Sequence, residues 1–249
     1  MIDNQDHEYP CCRQNVNPAL RSRDFESLFP EGVAAAELRA RGDPSLLLPE
    51  EAAGLGRASL KRREEFAAGR LCARRALGEF GIEDFVLRVQ TDRQPLWPPS
   101  MVGSITHTDG LCAAVAGERR SFAALGVDSE VVGHVKPDLW EAICTAREVA
   151  WLRALSTRAQ PAAAALIFAA KEAFYKCQYP LTGEFLGFHD VLIDAPGDSG
   201  RSAAHGEFSV HPTREIALAQ CAALPLIGRY RLHEGYVSAG VALPPLAAQ

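Results

Sequence analysis

An apolar strand that ends in two closely spaced acids is the first feature of this sequence that could carry chemistry. Leu125-Gly126-Val127 leads directly into Asp128 and Glu130. Side chains alternate between the two faces of a strand, so both carboxylates lie on one face. Paired carboxylates repel unless a cation or a shared proton neutralises them, and Mg²⁺ binds such pairs together with phosphate oxygens. A solvated strand end carries the same pattern, and the pair alone favours that simpler interpretation.

A second candidate is the predicted helix over residues 162–179, which carries Glu172 and Lys176 at a spacing of i, i+4. This spacing makes the two side chains neighbours on the helix surface. Phe168 and Tyr175 lie opposite the apolar stripe, which indicates a helix covered on both sides. We therefore expect this helix to lie between two halves of the protein. The alternative is an ordinary surface ion pair, which contributes about 0.3–0.5 kcal/mol.

The predicted helix over residues 60–80 aligns three arginines, Arg63, Arg70 and Arg74, on one stripe. Aligned guanidinium groups repel one another and match phosphate in charge and geometry. Neutralisation by neighbouring acids is slightly favoured by the residues alone; these acids are Glu64, Glu65 and Glu79.

The segment 103–107, Gly-Ser-Ile-Thr-His, adds small and hydroxylic residues at a strand end, where His107 could donate to a phosphate. On its own, a single histidine there is more often a turn residue. Together the four features describe a pocket for a polyphosphate ligand with Mg²⁺. Neither a P-loop, nor a Gly-x-Gly-x-x-Gly fingerprint, nor a Gly-x-Ser-x-Gly elbow is present in the sequence.

The elements that must position these residues form a mixed pattern, which predicts an α+β fold. The length of 249 residues and the hydrophobic content of 47% fit one large domain or two small ones, with a boundary near residues 117–121. Helices are predicted at 34–41, 60–80, 138–154 and 162–179, and loops at 91–99 and 196–205. Strands are predicted at 85–89, 121–127, 185–193, 206–211, 217–224 and 236–242. Residues 101–105 and 111–116 are either two strands or a strand followed by a short helix.

Composition excludes several classes of function. The net charge of −5 argues against broad nucleic-acid binding. The longest stretches without charged residues, 94–108 and 235–249, have 15 residues and contain prolines, so we expect no membrane span. The acidic N-terminus without an apolar core predicts no secretory signal. Seven cysteines predict reduced, buried thiols and hence a cytoplasmic protein, and Cys11-Cys12 is only a weak metal signal.

Five motifs in a fixed order resemble a known family. They are Gly-Arg-Leu-Cys-Ala-Arg at 69–74, Trp-Pro at 97–98, Gly-Ser-Ile-Thr-His at 103–107, Gly-Val-Asp-Ser-Glu at 126–130, and Ala-Lys-Glu-Ala-Phe-Tyr-Lys at 170–176. This order, between about residues 61 and 187, resembles the surfactin-type 4'-phosphopantetheinyl transferases. Within that family it is similar to the enterobactin synthetase component D-like branch.

The resemblance implies two similar α/β halves related by a pseudo-twofold axis, with the active site in the cleft between them. The halves would be residues 1–120, carrying the coenzyme A-binding arginines and histidine, and residues 121–249, carrying the metal-binding acids. It further implies a monomer that transfers the 4'-phosphopantetheine arm of coenzyme A to a serine of an apo carrier protein and releases adenosine 3',5'-bisphosphate. The carrier would serve siderophore, nonribosomal peptide, polyketide or fatty-acid synthesis.

The resemblance also implies roles for particular residues. Asp128, Glu130 and Glu172 would hold Mg²⁺. Glu172, directly or through a metal-bound water, would be the base for the serine proton, and Lys176 would stabilise the developing charge or protonate the leaving phosphate. The residues implied to contact coenzyme A are Arg62, Arg63, Arg70, Arg93, Thr106, His107, Lys171 and Lys176.

Two other functions remain open from the sequence. One is a non-catalytic module that binds coenzyme A or a carrier protein; intact side chains argue against it, namely Asp128, Glu130, Glu172 and Lys176. The other is a Mg²⁺-dependent phosphoesterase that removes the arm from a holo carrier protein.

Overall fold

The computed structural model of the protein describes residues 22–195, 204–220 and 222–246. Its helices are α1 Arg23–Glu26, α2 Pro49–Ala53, α3 Leu60–Gly78, α4 Trp140–Ile143, α5 Ala146–Ala154 and α6 Gln160–Thr182. Its strands are β1 Val33–Leu38, β2 Met101–Thr108, β3 Leu111–Glu118, β4 Ala124–Val131, β5 Val191–Asp194, β6 His205–Pro212, β7 Leu226–His233 and β8 Tyr236–Leu243.

The strands form two antiparallel sheets, which confirms the predicted α+β class. The first sheet has the order β1-β3-β2 and the second the order β4-β8-β7-β6-β5. In the first sheet Val33 lies opposite Gly117, and in the second Ala124 lies opposite Leu243. The chain passes from one sheet to the other between Glu118 and Ala124. The exact division into 1–120 and 121–249 and the pseudo-twofold relation stay predictions.

Helix α3 covers the first sheet, as the pattern over 60–80 predicts. Ser59 caps its N-terminus, because the Ser59 hydroxyl accepts a hydrogen bond from the Arg62 amide. Small side chains make the contact: Ala68 and Ala73 of the helix pack with Ala36 and Ala114 of the strands. Such small residues let the helix backbone lie close to the sheet.

Helix α6 covers the second sheet and packs mainly on β4 and β8. Gly183, at φ 64°, ends the helix in the left-handed conformation typical of a C-terminal cap. The side of α6 that faces away from the sheet is covered by α4 and α5, where Leu152 of α5 packs with Ala164 and Ile167 of α6. The helix is therefore covered on both sides as predicted, but the second cover comes mostly from its own half of the chain rather than from the other half.

Several sequence-based assignments in the first half of the chain are wrong. The segment 34–41, predicted to be helical, lies largely within strand β1, whose alanines are buried against β3. Burial of small side chains thus overrides the helix propensity of alanine. Residues 85–89 form no strand beyond a single bridge between Val89 and Pro95.

Further differences lie in the second half. The predicted helix over 138–154 is divided at Cys144, because Thr145 caps a new helix. The described residues of the segment 217–224 form no strand, and the segment begins with a 3₁₀ turn, Ala217–Gln220. Strand β7 has no counterpart among the predicted strands, and of the predicted strand 185–193 only residues 191–193 are paired, as part of β5.

The described cysteines, Cys72, Cys112, Cys144 and Cys177, are buried and unpaired, as predicted. Cys11, Cys12, Cys221 and most of the predicted loop 196–205 lie outside the described residues. Among the helices of the described ranges, none has the length and apolar character that a bilayer crossing requires.

Gly126→Ala should strongly destabilise the protein, because a Cβ at this position would lie 1.9 Å from the carbonyl oxygen of Ala173 on α6. We expect a loss of about 3 kcal/mol of unfolding free energy from this overpacking. Gly78→Ala is the matched control, since nothing lies within 4 Å of the Cβ that this substitution adds. Helix propensity should make that variant about 0.5–1 kcal/mol more stable. Urea unfolding of both variants measures the difference, and equal stabilities would contradict the packing of α6 on β4.

Candidate active site

The two sheets meet along a seam between their edge strands, β2 and β4. The hydroxyl of Ser104 accepts a hydrogen bond from the Val127 amide at 3.1 Å, and that of Thr106 accepts one from the Ser129 amide at 3.2 Å. Residues 104 and 106 share a face of β2 because side chains alternate along a strand. Side-chain hydroxyls thus take the place of a backbone ladder between the two sheets.

A cavity of about 840 Å³ opens beside this seam, between the two halves of the chain. That volume lies within the usual range for small-molecule sites. Its walls come from α3, the loop between Val89 and Trp97, strand β2 and the C-terminal part of α6. The predicted site residues among its walls are Arg62, Arg70, Arg93, His107 and Lys176.

Arg70 supplies a sheltered positive charge to the cavity. The residue is 5% exposed, and its guanidinium carbon lies 4.0 Å from the centroid of the Phe66 ring. Burial lowers the pKa of Arg70 to about 10, although Glu51 acts in the opposite direction. The Nε atom is buried without a hydrogen-bond partner. A buried guanidinium with an unused donor is suited to an anionic ligand.

Arg62 and His107 form a second pair of donors at the cavity wall, with Arg62 Nη1 lying 3.3 Å from His107 Nε2. Desolvation lowers the pKa of His107, and the charges of Arg62 and Lys176 lower it further, against the effect of Glu65. His107 is therefore neutral at pH 7. Since Arg62 can only donate, His107 Nε2 accepts, and its Nδ1–H is the ring donor.

The Asp128 carboxylate, buried at the seam, uses its two oxygens differently. Oδ1 accepts from the Lys176 ammonium at 2.6 Å and from the Thr106 hydroxyl at 2.9 Å. Oδ2 is buried and has no hydrogen-bond partner. A buried carboxylate oxygen without a partner is costly, so this atom is a natural ligand for a cation.

Glu130 and Glu172 are half-buried neighbours of Asp128. Desolvation raises the pKa of Glu130 to about 7, with further increases from Asp128 and Glu172, while Lys176 opposes them. Desolvation also raises the pKa of Glu172; Lys176 opposes this increase and Asp128 adds to it. Three acids thus share one nearby ammonium group, which leaves an excess of negative charge.

This donor set fits a hard divalent cation in its chemistry, because it consists of carboxylate oxygens with one buried oxygen unused. Within the described ranges, however, no group of three or more His, Cys, Asp or Glu side chains is arranged closely enough to hold a metal ion. The predicted convergence of Asp128, Glu130 and Glu172 on one ion is therefore not seen in this arrangement, where the Lys176 ammonium contacts Asp128.

Lys171 does not reach the cavity, which corrects the expectation that it contacts the ligand. Its ammonium donates to Glu148 Oε2 at 2.7 Å, to the Phe188 carbonyl at 2.7 Å and to the Ile143 carbonyl at 2.9 Å. Both side chains of the Lys171–Glu148 pair are 1% exposed. All three protons are used, so Lys171 has no donor left for a ligand.

Two other predicted ligand residues act indirectly in this arrangement. Arg63 donates to the carbonyls of Gly56 and Ala58 and so shapes the loop that borders the cavity. Thr106 is 1% exposed and contacts Asp128 rather than the cavity. The three arginines predicted to share one stripe therefore have different surroundings. Arg74 pairs with the buried Glu51 at 2.7 Å and does not line the cavity.

Sequence reasoning missed several residues of the cavity wall. Trp97 packs on Gly103, where a Cβ would lie 2.5 Å from the indole ring, so glycine is required. Tyr175 and Tyr179 stack with ring centroids 5.2 Å apart and both line the cavity. Their spacing of i, i+4 was the available signal for this stack.

Comparison with known proteins agrees with this organisation. Residues 50–117 match the family profile described as 4'-phosphopantetheinyl transferase N-terminal domain, and residues 124–224 match that of the 4'-phosphopantetheinyl transferase superfamily. The chain is 31% identical over 226 residues to 4'-phosphopantetheinyl transferase Npt of Nocardia iowensis, covering 88% of this chain and 99% of that protein.

Two further relatives share parts of the chain. 4'-Phosphopantetheinyl transferase PptT of Mycobacterium tuberculosis is 38% identical over 178 residues, covering 69% of this chain and 77% of that protein. Enterobactin synthase component D of Salmonella typhi is 38% identical over 121 residues, covering 48% of this chain and 49% of that protein.

Lys171→Met and Lys176→Met should have different effects. Removing Lys171 leaves the Glu148 carboxylate buried without its counter-charge, so we expect a loss of about 3–5 kcal/mol of unfolding free energy. The folded variant should bind coenzyme A with unchanged affinity. Lys176→Met should weaken coenzyme A binding about tenfold or more, since it removes a cation from the cavity wall. Urea unfolding measures the stability of both variants, and calorimetric titration measures their affinity for coenzyme A. Weaker coenzyme A binding by a fully folded Lys171→Met variant would show that Lys171 belongs to the binding site.

Proposed function

Because the chain belongs to the 4'-phosphopantetheinyl transferase superfamily, we propose that its inter-half cavity binds coenzyme A and that the acids of the seam hold Mg²⁺ for the transfer. The protein is an enzyme that transfers 4'-phosphopantetheine to carrier proteins, with coenzyme A as its substrate. The assignment of individual residues rests on one observation: Lys176, on the cavity wall, contacts the Asp128 carboxylate, whose second oxygen is buried and unpartnered.

Phosphate binding falls to the cationic side of the cavity. Arg70 contributes a guanidinium proton, on Nε, that the protein leaves unused, and Arg62 and His107 lie together on the same wall. Arg93, in the loop between Val89 and Trp97, is exposed and adds a further charge. Charge-assisted hydrogen bonds from these groups match the phosphates of coenzyme A, whose negative charge otherwise opposes its burial.

The carboxylates Asp128, Glu130 and Glu172 would hold the metal. Asp128 Oδ2 is the atom that most needs a cation, and the raised pKa values of the two glutamates reflect their shared negative charge as well as their burial. When bound, Mg²⁺ would neutralise charge on the pyrophosphate oxygens.

The transfer itself is a substitution at phosphorus. The serine oxygen of the carrier forms a bond to the β-phosphorus of the coenzyme A pyrophosphate. The bond from that phosphorus to the oxygen that bridges the two phosphates breaks, and adenosine 3',5'-bisphosphate leaves. Glu172 accepts the serine proton as general base. Lys176 lies one turn further along α6, at the cavity wall, where its ammonium stabilises the negative charge of the leaving group.

The carrier protein and cellular setting are proposed more broadly. One relative is named enterobactin synthase component D, so an aryl or peptidyl carrier of siderophore assembly is the first carrier to try, before polyketide and fatty-acid carriers. We propose that the enzyme acts as a monomer. The four buried, unpaired thiols of the described residues favour a cytoplasmic location.

The direct test mixes the full-length protein with coenzyme A, Mg²⁺ and an apo carrier protein and measures the carrier by mass spectrometry. We expect a gain of one phosphopantetheine arm and the release of adenosine 3',5'-bisphosphate. Addition of a chelator should abolish the gain if Mg²⁺ takes part as proposed. Binding of coenzyme A without any gain on several carriers would favour a non-catalytic module, and release of the arm from holo carrier would favour a phosphoesterase.

Glu172→Gln should retain coenzyme A binding and lose most turnover, because the amide cannot accept the serine proton. We expect kcat to fall by about 10²–10⁴-fold, the usual contribution of a general base. The Kd for coenzyme A, measured by calorimetry without Mg²⁺, should stay within about twofold. Glu141→Gln is the control, since Glu141 is 79% exposed and lies outside the cavity. Turnover by Glu172→Gln equal to that control would remove Glu172 from the role of base.

A further inference from the structure

We propose that Thr106 is a positioning residue that fixes the Asp128 carboxylate across the seam, and not a ligand of coenzyme A. The inference rests on the proposed function, because it concerns the oxygen with which Asp128 would bind the metal. Thr106 lies on β2 in the first half of the chain and Asp128 on β4 in the second. Its hydroxyl therefore joins the two halves at the carboxylate itself.

The direction of each hydrogen bond at Thr106 is determined by chemistry. The Ser129 amide can only donate, so the Thr106 oxygen accepts from it at 3.2 Å. The single hydroxyl proton is then free to be donated, and Asp128 Oδ1 lies 2.9 Å away as an ionised acceptor. Thr106 thereby ties the backbone of β4 to the side chain of the preceding residue.

This arrangement selects which oxygen of Asp128 remains available. Oδ1 receives two donors, the Thr106 hydroxyl and the Lys176 ammonium. Oδ2 receives none and is buried. Without the Thr106 proton, the carboxylate would be held by Lys176 alone, whose long side chain is 29% exposed and can follow a rotation of the carboxylate. The hydroxyl is thus the rigid part of this contact.

Adjacent residues of β2 serve different ligands: Thr106 acts on the proposed Mg²⁺ site, and His107 on the proposed coenzyme A site. Thr106 is 1% exposed and points to β4, whereas His107 lines the cavity and contacts Arg62. The alternation of side chains along a strand forces this division. A change at Thr106 should therefore affect the metal ligand without touching the phosphate-binding wall.

Ser104 provides a matched control for the seam. Its hydroxyl accepts from the Val127 amide at 3.1 Å, just as the Thr106 hydroxyl accepts from the Ser129 amide, and it is 5% exposed. Unlike Thr106, Ser104 is not hydrogen-bonded to a carboxylate in the described part of the chain. Removing either hydroxyl removes one hydrogen bond between β2 and β4, but only Thr106→Val also removes a hydrogen bond to the Asp128 carboxylate.

The experiment compares wild type, Thr106→Val, Thr106→Ser and Ser104→Ala as full-length proteins. Mg²⁺ binding is measured by calorimetry with coenzyme A present and carrier protein absent, and coenzyme A binding is measured without Mg²⁺. For Thr106→Val we expect about tenfold or more weaker Mg²⁺ binding, the usual effect of losing a partner of a metal ligand, and a coenzyme A Kd within about twofold of wild type. Thr106→Ser should restore Mg²⁺ binding. Ser104→Ala should lower the unfolding midpoint as Thr106→Val does, with wild-type Mg²⁺ binding.

The possible failures are distinguishable. Weaker coenzyme A binding with unchanged Mg²⁺ binding in Thr106→Val would make Thr106 a ligand of coenzyme A and overturn the inference. Equal losses of Mg²⁺ binding in Thr106→Val and Ser104→Ala would reduce its role to the seam and also overturn it. Absence of Mg²⁺ binding by the wild-type protein would instead refute the proposed metal site, together with the inference that rests on it.

Discussion

Strand β4 lies at the edge of its sheet, and the site depends on how its unpaired backbone groups are satisfied. An exposed edge offers amides and carbonyls that must find other partners. Here the Val127 and Ser129 amides bond to the hydroxyls of Ser104 and Thr106, and the Val127 carbonyl accepts from Lys176 at 3.3 Å. The hydrogen bonds that satisfy the edge of β4 therefore bring together β2, β4 and α6, the three elements that carry the residues of the candidate site.

Charge is divided between two sides of the same cleft. The first half supplies the buried guanidinium of Arg70 together with the more exposed Arg62 and Arg93, and the second half supplies three acids with Lys176 as the nearby ammonium. Burial of Arg70 and of Asp128 raises the cost of folding. A ligand that combines phosphates with a divalent cation would offset both costs at once.

How far the sequence could predict this site depends on the distance over which each contact acts. The helices α3 and α6 and the placement of Asp128 and Glu130 on one strand follow from local periodicity. The two lysines of α6 could not be told apart, because the partner of Lys171 is Glu148, 23 residues earlier on α5. The role of Thr106 likewise depends on its contact with Asp128 across the seam between the two sheets, and the periodicity of the sequence does not predict that the two strands meet there. Alanine-rich β1 has the composition of a helix, but burial, and not propensity, decides its conformation.

The close approach of Gly126 to Ala173 has a consequence for motion. The backbones of β4 and α6 lie so close here that neither element can shift towards the other without a clash, and this contact limits how the acids of β4 can move relative to Glu172 and Lys176 of α6.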